Sequence, residues 1–311
     1  MGSSRSSLKT TNIGVLPQGS ILGPILFPLF VNDLPNSTDI LLPTLFADDT
    51  TLSISHHNYN ELVPILNREL DSILNWTVSN KLSLNVEKTE MVIVSNKKTN
   101  HSNNQIMLGG EFIKYSDDCV FLGVKIDNRL NFSNHIKYVA NKLSKNTGIF
   151  YRIKDSMTKQ ARLSYYYSLF FPYISYNIIV WGGTYKNHLY PIIRQQKRML
   201  RLIADSNYLA HTNSLFLKFE ILKLDDVYKF FMSVYMFKAL KQGLFSTIHN
   251  LNTRNCNLAT ASFHRLTSTQ HSVSFTGPKI WNSLPSCIRN INSLPSFKLK
   301  LKQYLISQYN S

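Results

Sequence analysis

The sequence predicts an α+β fold in which alternating strands and helices over residues 1–127 give way to an all-helical remainder. Three observations carry this. Short β-type runs and one long amphipathic helix alternate as far as Asp127, apolar residues then recur at helical spacing, and the charge balance changes at the same place. Residues 1–127 hold 9 basic and 13 acidic groups, residues 128–226 hold 15 and 5, and residues 227–311 hold 10 and none, which together make the net +16 of the chain.

In chain order, Pro17-Gln18-Gly19-Ser20 precedes the apolar run Ile21 to Leu34, with Ser20 placed to cap a helix and Pro28 removing a donor inside it, so a kink is expected there. Leu42 to Ala47 and Thr51 to Ser55 are β-type runs that make Asp48-Asp49 the tip of a hairpin. From Glu61 to Val78, Leu62, Ile65, Leu66, Leu70, Ile73 and Leu74 fall at helical spacing, with Pro64 in the first turn. Met91 to Val94 reads as a strand, Asn96 to Gln105 as a polar loop, Ile106 to Ile113 as a hairpin turning on Gly109-Gly110, and Val120 to Ile126 as a further strand.

Beyond Asp127, Phe132, Ile136, Val139 and Leu143 form a helical stripe with Lys137, Lys142 and Lys145 outside it. Leu163 to Trp181 is an apolar buried helix broken by Pro172. Between Leu189 and Ile203 one arc holds Leu189, Ile192, Ile193, Met199, Leu200 and Ile203, and the opposite arc holds Arg194, Lys197, Arg198 and Arg201. A last helix spans Phe297 to Ile306. Asn-Ser-Leu-Pro-Ser at 282–286 and again at 292–296 reads as two similar turn-and-cap entries.

Composition excludes several classes. With 43% apolar and 17% charged residues the chain is neither disordered nor fibrous. Cys119, Cys256 and Cys287 are odd in number and widely spaced, so neither a disulfide framework nor a zinc site is expected, and a reducing compartment is. No secretory or membrane-spanning segment is expected, which points to the nucleus or cytoplasm. The basic back half suits a phosphate backbone; a merely soluble basic protein remains the plainer alternative.

Adjacent carboxylates on an exposed turn can hold Mg²⁺ through oxygen ligands while leaving positions for phosphate and water. Asp is also a common turn residue, so the pair gains meaning from its company: Pro-Gln-Gly-Ser about thirty residues upstream and Leu84-Asn85-x-x-Lys88-Thr89 about forty downstream. A phosphohydrolase is disfavoured because its aspartates are separated by one residue. His56-His57 without a third ligand reads as a surface turn.

GVLPQGSILGPILFPLFVNDLP (14–35), LFADDTTL (45–52), NKLSLNVEKTEMVIVS (80–95) and FLGVKID (121–127) resemble, in order and spacing, the last four palm motifs of reverse transcriptases from jockey-like non-LTR retrotransposons of the LINE group. The resemblance continues through residues 132–205 and a tail containing GPKIWNSLP (277–285). It implies a partial polymerase palm, an antiparallel sheet with helices, over 1–127, a thumb-like helical domain over 128–205 and a basic helical C-terminal region over 206–311. It further implies Asp48 and Asp49 as Mg²⁺ ligands and Lys88 beside the leaving pyrophosphate. Gln18, Gly19, Phe46 and Ala47 would lie at the incoming nucleotide and template, and Phe121, Leu122 and Gly123 would form a primer grip. Lys137, Lys142, Lys145, Arg194, Lys197, Arg198 and Arg201 would lie along the nucleic-acid backbone. The implied partners are an RNA template, a DNA primer, their RNA–DNA hybrid and a dNTP.

A further palm aspartate of the family lies upstream of Pro-Gln-Gly, whereas the first acidic residue here is Asp33. The expectation is therefore a truncated RNA-directed DNA polymerase that lacks the fingers and first palm motifs and is inactive by itself. The alternative from another class is a non-catalytic nucleic-acid-binding protein that uses its basic helices and aromatics such as Tyr165, Tyr166, Tyr167 and Trp181.

Overall fold

The computed structural model describes residues 21–95, 105–245, 258–260 and 270–310. Two compact units emerge, one formed by residues 1–91 with 97–116 and the other by 117–311 with 92–96. The overall class is α+β. The expected antiparallel sheet is replaced, among the described residues, by four two-stranded pieces, three antiparallel and one parallel. Four of the eight described strands are only two residues long, too short to template a wider sheet.

In the first unit, α1 (Gly23–Phe30) starts on Pro24 and holds Pro28 inside it, and it ends four residues earlier than the apolar run suggested. The cap expected of Ser20 lies outside the described residues. Strands β1 (Leu42–Phe46) and β2 (Asp49–Ser53) pair antiparallel with Phe46 opposite Asp49. Helix α2 (Tyr59–Ser79) is capped by the Asn58 side chain, which accepts from the Asn60 amide at 3.1 Å. Because the helix begins two residues earlier than expected, Pro64 sits past the first turn. The short strand β3 (Glu90–Met91) runs parallel to β6 (Lys114–Tyr115), and β4 (Met107–Leu108) with β5 (Glu111–Phe112) forms the Gly109-Gly110 hairpin, both glycines having positive φ as a type I′ turn requires.

α2 is the spine of this unit. Val63 and Leu70 pack with Ile106 and Leu108 of the glycine hairpin, while Ile73 packs with Leu34 and Leu41 ahead of β1. Between those two clusters lies Glu69, 5% exposed, in line with Leu66 and Ile73 on the inward stripe. Its carboxylate accepts from the Thr38 hydroxyl at 2.6 Å and from the amides of Asp39 (3.1 Å) and Ile40 (3.4 Å). These donors fasten the segment that enters β1, and the Thr38 hydroxyl foremost among them holds the carboxyl below a glutamate's ordinary 4.5.

The second unit opens with the hairpin β7 (Asp118–Phe121) and β8 (Val124–Asp127), strands that the sequence pattern grouped with the preceding layer. Asp127 is buried and accepts from the amides of Arg129 (3.1 Å), Asn131 (3.1 Å) and Phe132 (2.6 Å), so it shapes the link to α3 (Ser133–Ile153). The next apolar stretch winds as α4 (Lys159–Tyr165), a π-helical stretch Tyr166–Phe170 and α5 (Phe171–Ser175), whose first turn takes Pro172, before α6 (Ile178–Trp181). α7 (Lys186–Ile203) packs along α3, and α8 (Asn213–Lys218) leads to α9 (Leu224–Lys241). The chain closes with α10 (Val273–Ser283), α11 (Ser286–Arg289) and α12 (Leu294–Ser307).

A single core unites these helices. Ile136, Val139 and Leu143 of α3 meet Ile192, Met199 and Leu200 of α7, and Phe237 of α9 stacks on Phe297 of α12 at 4.7 Å. One buried amide serves three elements: Gln196 of α7 donates to the Tyr166 hydroxyl (3.1 Å) and the Leu222 carbonyl (2.9 Å) and accepts from the Leu224 amide (3.1 Å). Its satisfied amide ties α7 to the entry of α9. The two Asn-Ser-Leu-Pro-Ser copies are used differently: the first ends α10 and starts α11, and the second opens α12 with Pro295 in its first turn. Among the described residues no helix is long and apolar enough to cross a membrane.

Two predictions follow from this packing. A Cβ on Gly182 would come within 2.6 Å of the Ile178 carbonyl oxygen and 2.8 Å of the Tyr228 ring, so Gly182→Ala is expected to cost about 1–3 kcal/mol, read as a lower denaturant midpoint at unchanged slope. Because the Glu69 carboxyl titrates below its unfolded value, its stabilisation is present above the ordinary glutamate range and is lost as pH falls through the folded value. Protection factors at the Asp39 and Ile40 amides, that is exchange relative to the intrinsic rate at each pH, should therefore fall on acidification, and Glu69→Ala should show the low protection already at neutral pH; unchanged protection in the variant contradicts the role.

Candidate active site

The β1–β2 hairpin presents the candidate carboxylates. With Phe46 opposite Asp49, the connection is the two residues Ala47 and Asp48, so Asp48 occupies the turn and Asp49 begins the strand. The sequence had put both at the tip. Ala47 has φ +52°, a conformation a residue bearing Cβ adopts at a cost of roughly 1–2 kcal/mol. Phe46 is 60% exposed, and Ala47, Asp48 and Asp49 are all exposed. Among the described residues no ion pair engages either aspartate.

Lys88 ends a 3₁₀ turn, Val86–Lys88, in the same unit. Asn85 caps the turn, its side chain accepting from the Lys88 amide at 3.1 Å, while the Thr89 hydroxyl donates to the Asn85 carbonyl at 2.9 Å. The motif Asn85-x-x-Lys88-Thr89 is therefore a local fold that exposes Lys88. No ion pair joins Lys88 to Asp48 or Asp49 among the described residues. Gln18 and Gly19 lie outside the described residues.

Oxygen donors of the Asp48-Asp49 kind suit a hard divalent cation. Their number falls short: no group of three or more His, Cys, Asp or Glu residues able to hold a metal comes together among the described residues. The pair supplies part of a coordination shell and not a closed two-ion site.

In the second unit, Phe121, Leu122 and Gly123 form the β7–β8 turn. Leu122 (φ +44°) and Gly123 (φ +77°) fill the two central positions, again the type I′ pattern, here with a leucine where glycine or asparagine is usual. Tyr176 secures it: its hydroxyl donates to the Leu122 carbonyl at 2.6 Å and its ring lies 3.4 Å from where a Cβ on Gly123 would be.

The basic residues divide by exposure. Lys137 and Lys145 of α3 are exposed, while Lys142 is half-buried with its ammonium 5.5 Å from the Tyr138 ring centre. On α7, Arg194, Lys197 and Arg198 are exposed. Arg201, expected beside them, is half-buried: its Nε donates to the Ala210 carbonyl at 2.8 Å and its guanidinium lies 6.0 Å from the Tyr208 ring centre. Its helical position turns it toward the chain that follows α7, which the helical wheel does not contain.

Sequence reasoning missed three residues that hold these features in place: Glu69, Asp127 and Tyr176. Glu69 had a signal, an acid on an otherwise apolar stripe. Asp127 and Tyr176 act on residues brought near them only by folding.

The family described as reverse transcriptase (RNA-dependent DNA polymerase) matches residues 6–126. The chain is 28% identical over 233 residues, 71% of its length, to the RNA-directed DNA polymerase from mobile element jockey of Drosophila melanogaster, of which it covers 25%. It is 29% identical over 212 residues to the probable RNA-directed DNA polymerase from transposon BS of Drosophila melanogaster, covering 64% of this chain and 23% of that protein. Against the Pol polyprotein from type-1 retrotransposable element R1 of Bradysia coprophila it is 26% identical over 61% of this chain and 20% of that one. The chain thus spans about a quarter of the length of these relatives. No solved structure matches. Residues 6–126 thus match the reverse transcriptase family, and the chain is similar to the RNA-directed DNA polymerases of mobile elements.

Proposed function

We propose that the chain contributes to RNA-directed DNA synthesis by a non-LTR retrotransposon polymerase, with residues 1–127 as the later part of the palm, 128–205 as the thumb and 206–311 as a basic C-terminal region. The observation that carries this reading is the exposed Asp48-Asp49 pair, presented by a strained two-residue turn inside the stretch that matches the reverse transcriptase family. Strain held at an exposed turn is a common mark of a working position.

In this reading Asp48 and Asp49 are the residues that would hold Mg²⁺, whose charge offsets that of a transferring phosphate when bound. Phe46 and Ala47 flank the incoming nucleotide, with Gln18 and Gly19 beside the template. Lys88, free of an ion pair among the described residues, offers its cation to the departing pyrophosphate. The Phe121-Leu122-Gly123 turn, braced by Tyr176, bears on the primer strand. Lys137, Lys142, Lys145, Arg194, Lys197, Arg198 and, through its remaining guanidinium donors, Arg201 neutralise backbone phosphates of the RNA–DNA hybrid. A palm of this kind needs carboxylates from more than one strand, so the 311-residue polypeptide assayed by itself is expected to bind without extending.

Binding and synthesis are tested separately. Affinity for an RNA–DNA hybrid is expected to fall steeply with salt, and replacing Arg194, Lys197 and Arg198 by Gln should lower the slope of log K against log salt by roughly one per residue removed. A slope unchanged by the triple substitution removes α7 from the interface. With a primed RNA template, dNTPs and Mg²⁺, the polypeptide should give no extension; templated extension that disappears in Asp48→Ala would show the pair to be sufficient and overturn the expectation of inactivity.

A further inference from the structure

A cavity of about 280 Å³ opens in the second unit beside the Leu122-Gly123 turn. Its walls include the rings of Tyr138 from α3 and of Tyr173 and Tyr176 from the α5 segment, together with Pro172 and His135. The lining is thus three phenol rings and a proline, with little else that is polar. Two cations lie against the Tyr138 wall: the Lys125 ammonium is 5.9 Å and that of Lys142 5.5 Å from the centre of the Tyr138 ring, whose residue is 41% exposed.

His135 adds a polar group to this wall. It is 2% exposed, and its Nδ1 accepts from the Lys125 amide at 3.3 Å, which puts the ring proton on Nε2. Burial foremost, with Lys125 nearby, lowers its pKa to about 4, so the ring is neutral. His135 lines the cavity, and Nε2 makes no hydrogen bond among the described residues, so its donor is open to a ligand there. An apolar, ring-lined cavity with one neutral donor in its wall and two ammonium groups beside its Tyr138 ring suits a flat heterocycle that bears acceptors and is joined to a phosphate.

We propose that this cavity is a pocket for a single unstacked nucleobase, its adjoining phosphate lying between Lys125 and Lys142. The base stacks on the tyrosines and accepts from His135 Nε2, so the pocket captures an unpaired nucleotide next to the β7–β8 turn. The proposal rests on the nucleic-acid reading above in its choice of partner, and it adds a contact that duplex backbone binding does not supply.

The test uses the full 311-residue chain and fluorescent single-stranded RNA and DNA oligonucleotides, each paired with an abasic strand of equal length and charge. Intact strands are expected to bind about 5- to 100-fold more tightly than abasic ones, the range that base stacking on an aromatic ring produces. Tyr138→Ala should erase that preference, and Tyr138→Phe, which keeps the ring, should retain it; Tyr138 is surface enough for either variant to fold. Lys142→Gln should weaken intact and abasic strands alike. Equal binding of intact and abasic strands, or a preference that survives Tyr138→Ala, overturns the pocket. If that happens while salt-dependent hybrid binding persists, the pocket alone falls; if hybrid binding is also missing, the nucleic-acid reading falls with it.

Discussion

A carboxylate taken out of water must be met by donors, and in both units of this chain that requirement holds the candidate hairpins in place. Glu69 collects a hydroxyl and two amides from the strand entry that leads to Asp48. Asp127, at the end of β8, collects three amides from the loop into α3. Either carboxylate left unpaired would be costly to bury. Apart from the Thr38 hydroxyl the donors are main-chain amides of short irregular segments, so each acid turns a loop that lacks its own ladder of hydrogen bonds into a fixed support. The hairpins are then held from behind, and the β1–β2 tip stays exposed.

The tips themselves are tightly wound. A two-residue connection between antiparallel strands forces left-handed backbone, and three hairpins meet the demand in different ways. The β4–β5 turn spends two glycines, which accept it without strain. At the β7–β8 turn a leucine takes one left-handed position, backed by the Tyr176 hydrogen bond. At the β1–β2 turn an alanine takes it, and among the described residues no side-chain hydrogen bond braces the strain. The two strained turns are those that carry the candidate polymerase residues, whereas the relaxed one serves only to pack against α2.

Much of this was legible in the residue pattern. The apolar periods of 61–78, 132–143 and 189–203 found their helices because each has one buried face, and Gly109-Gly110 found its turn because the backbone demands glycine there. Asp48 was found through the β-type runs around it, yet the register, set by a pairing one residue tighter than the composition suggested, moved Asp49 onto the strand. What escaped is non-local. Glu69 lies 30 residues from its partner Asp39, Tyr176 lies 54 from Leu122, and Thr184 donates to a carbonyl 53 residues away at Asn131. Hydrophobic spacing encodes which face is dry and says nothing about which distant amide a buried acid will meet.

The π-helical stretch Tyr166–Phe170 has a consequence for the geometry downstream. A π turn holds one residue more than an α turn, and each residue of helix advances the side chains by about 100°. The direction in which Tyr173 and Tyr176 project from the following segment is therefore governed by how many residues the stretch contains as much as by what they are. Loss of one codon would let this stretch rewind as ordinary helix and swing both rings about a quarter turn from the β7–β8 hairpin. In this part of the chain the number of residues, and not their identity alone, sets where the two rings stand.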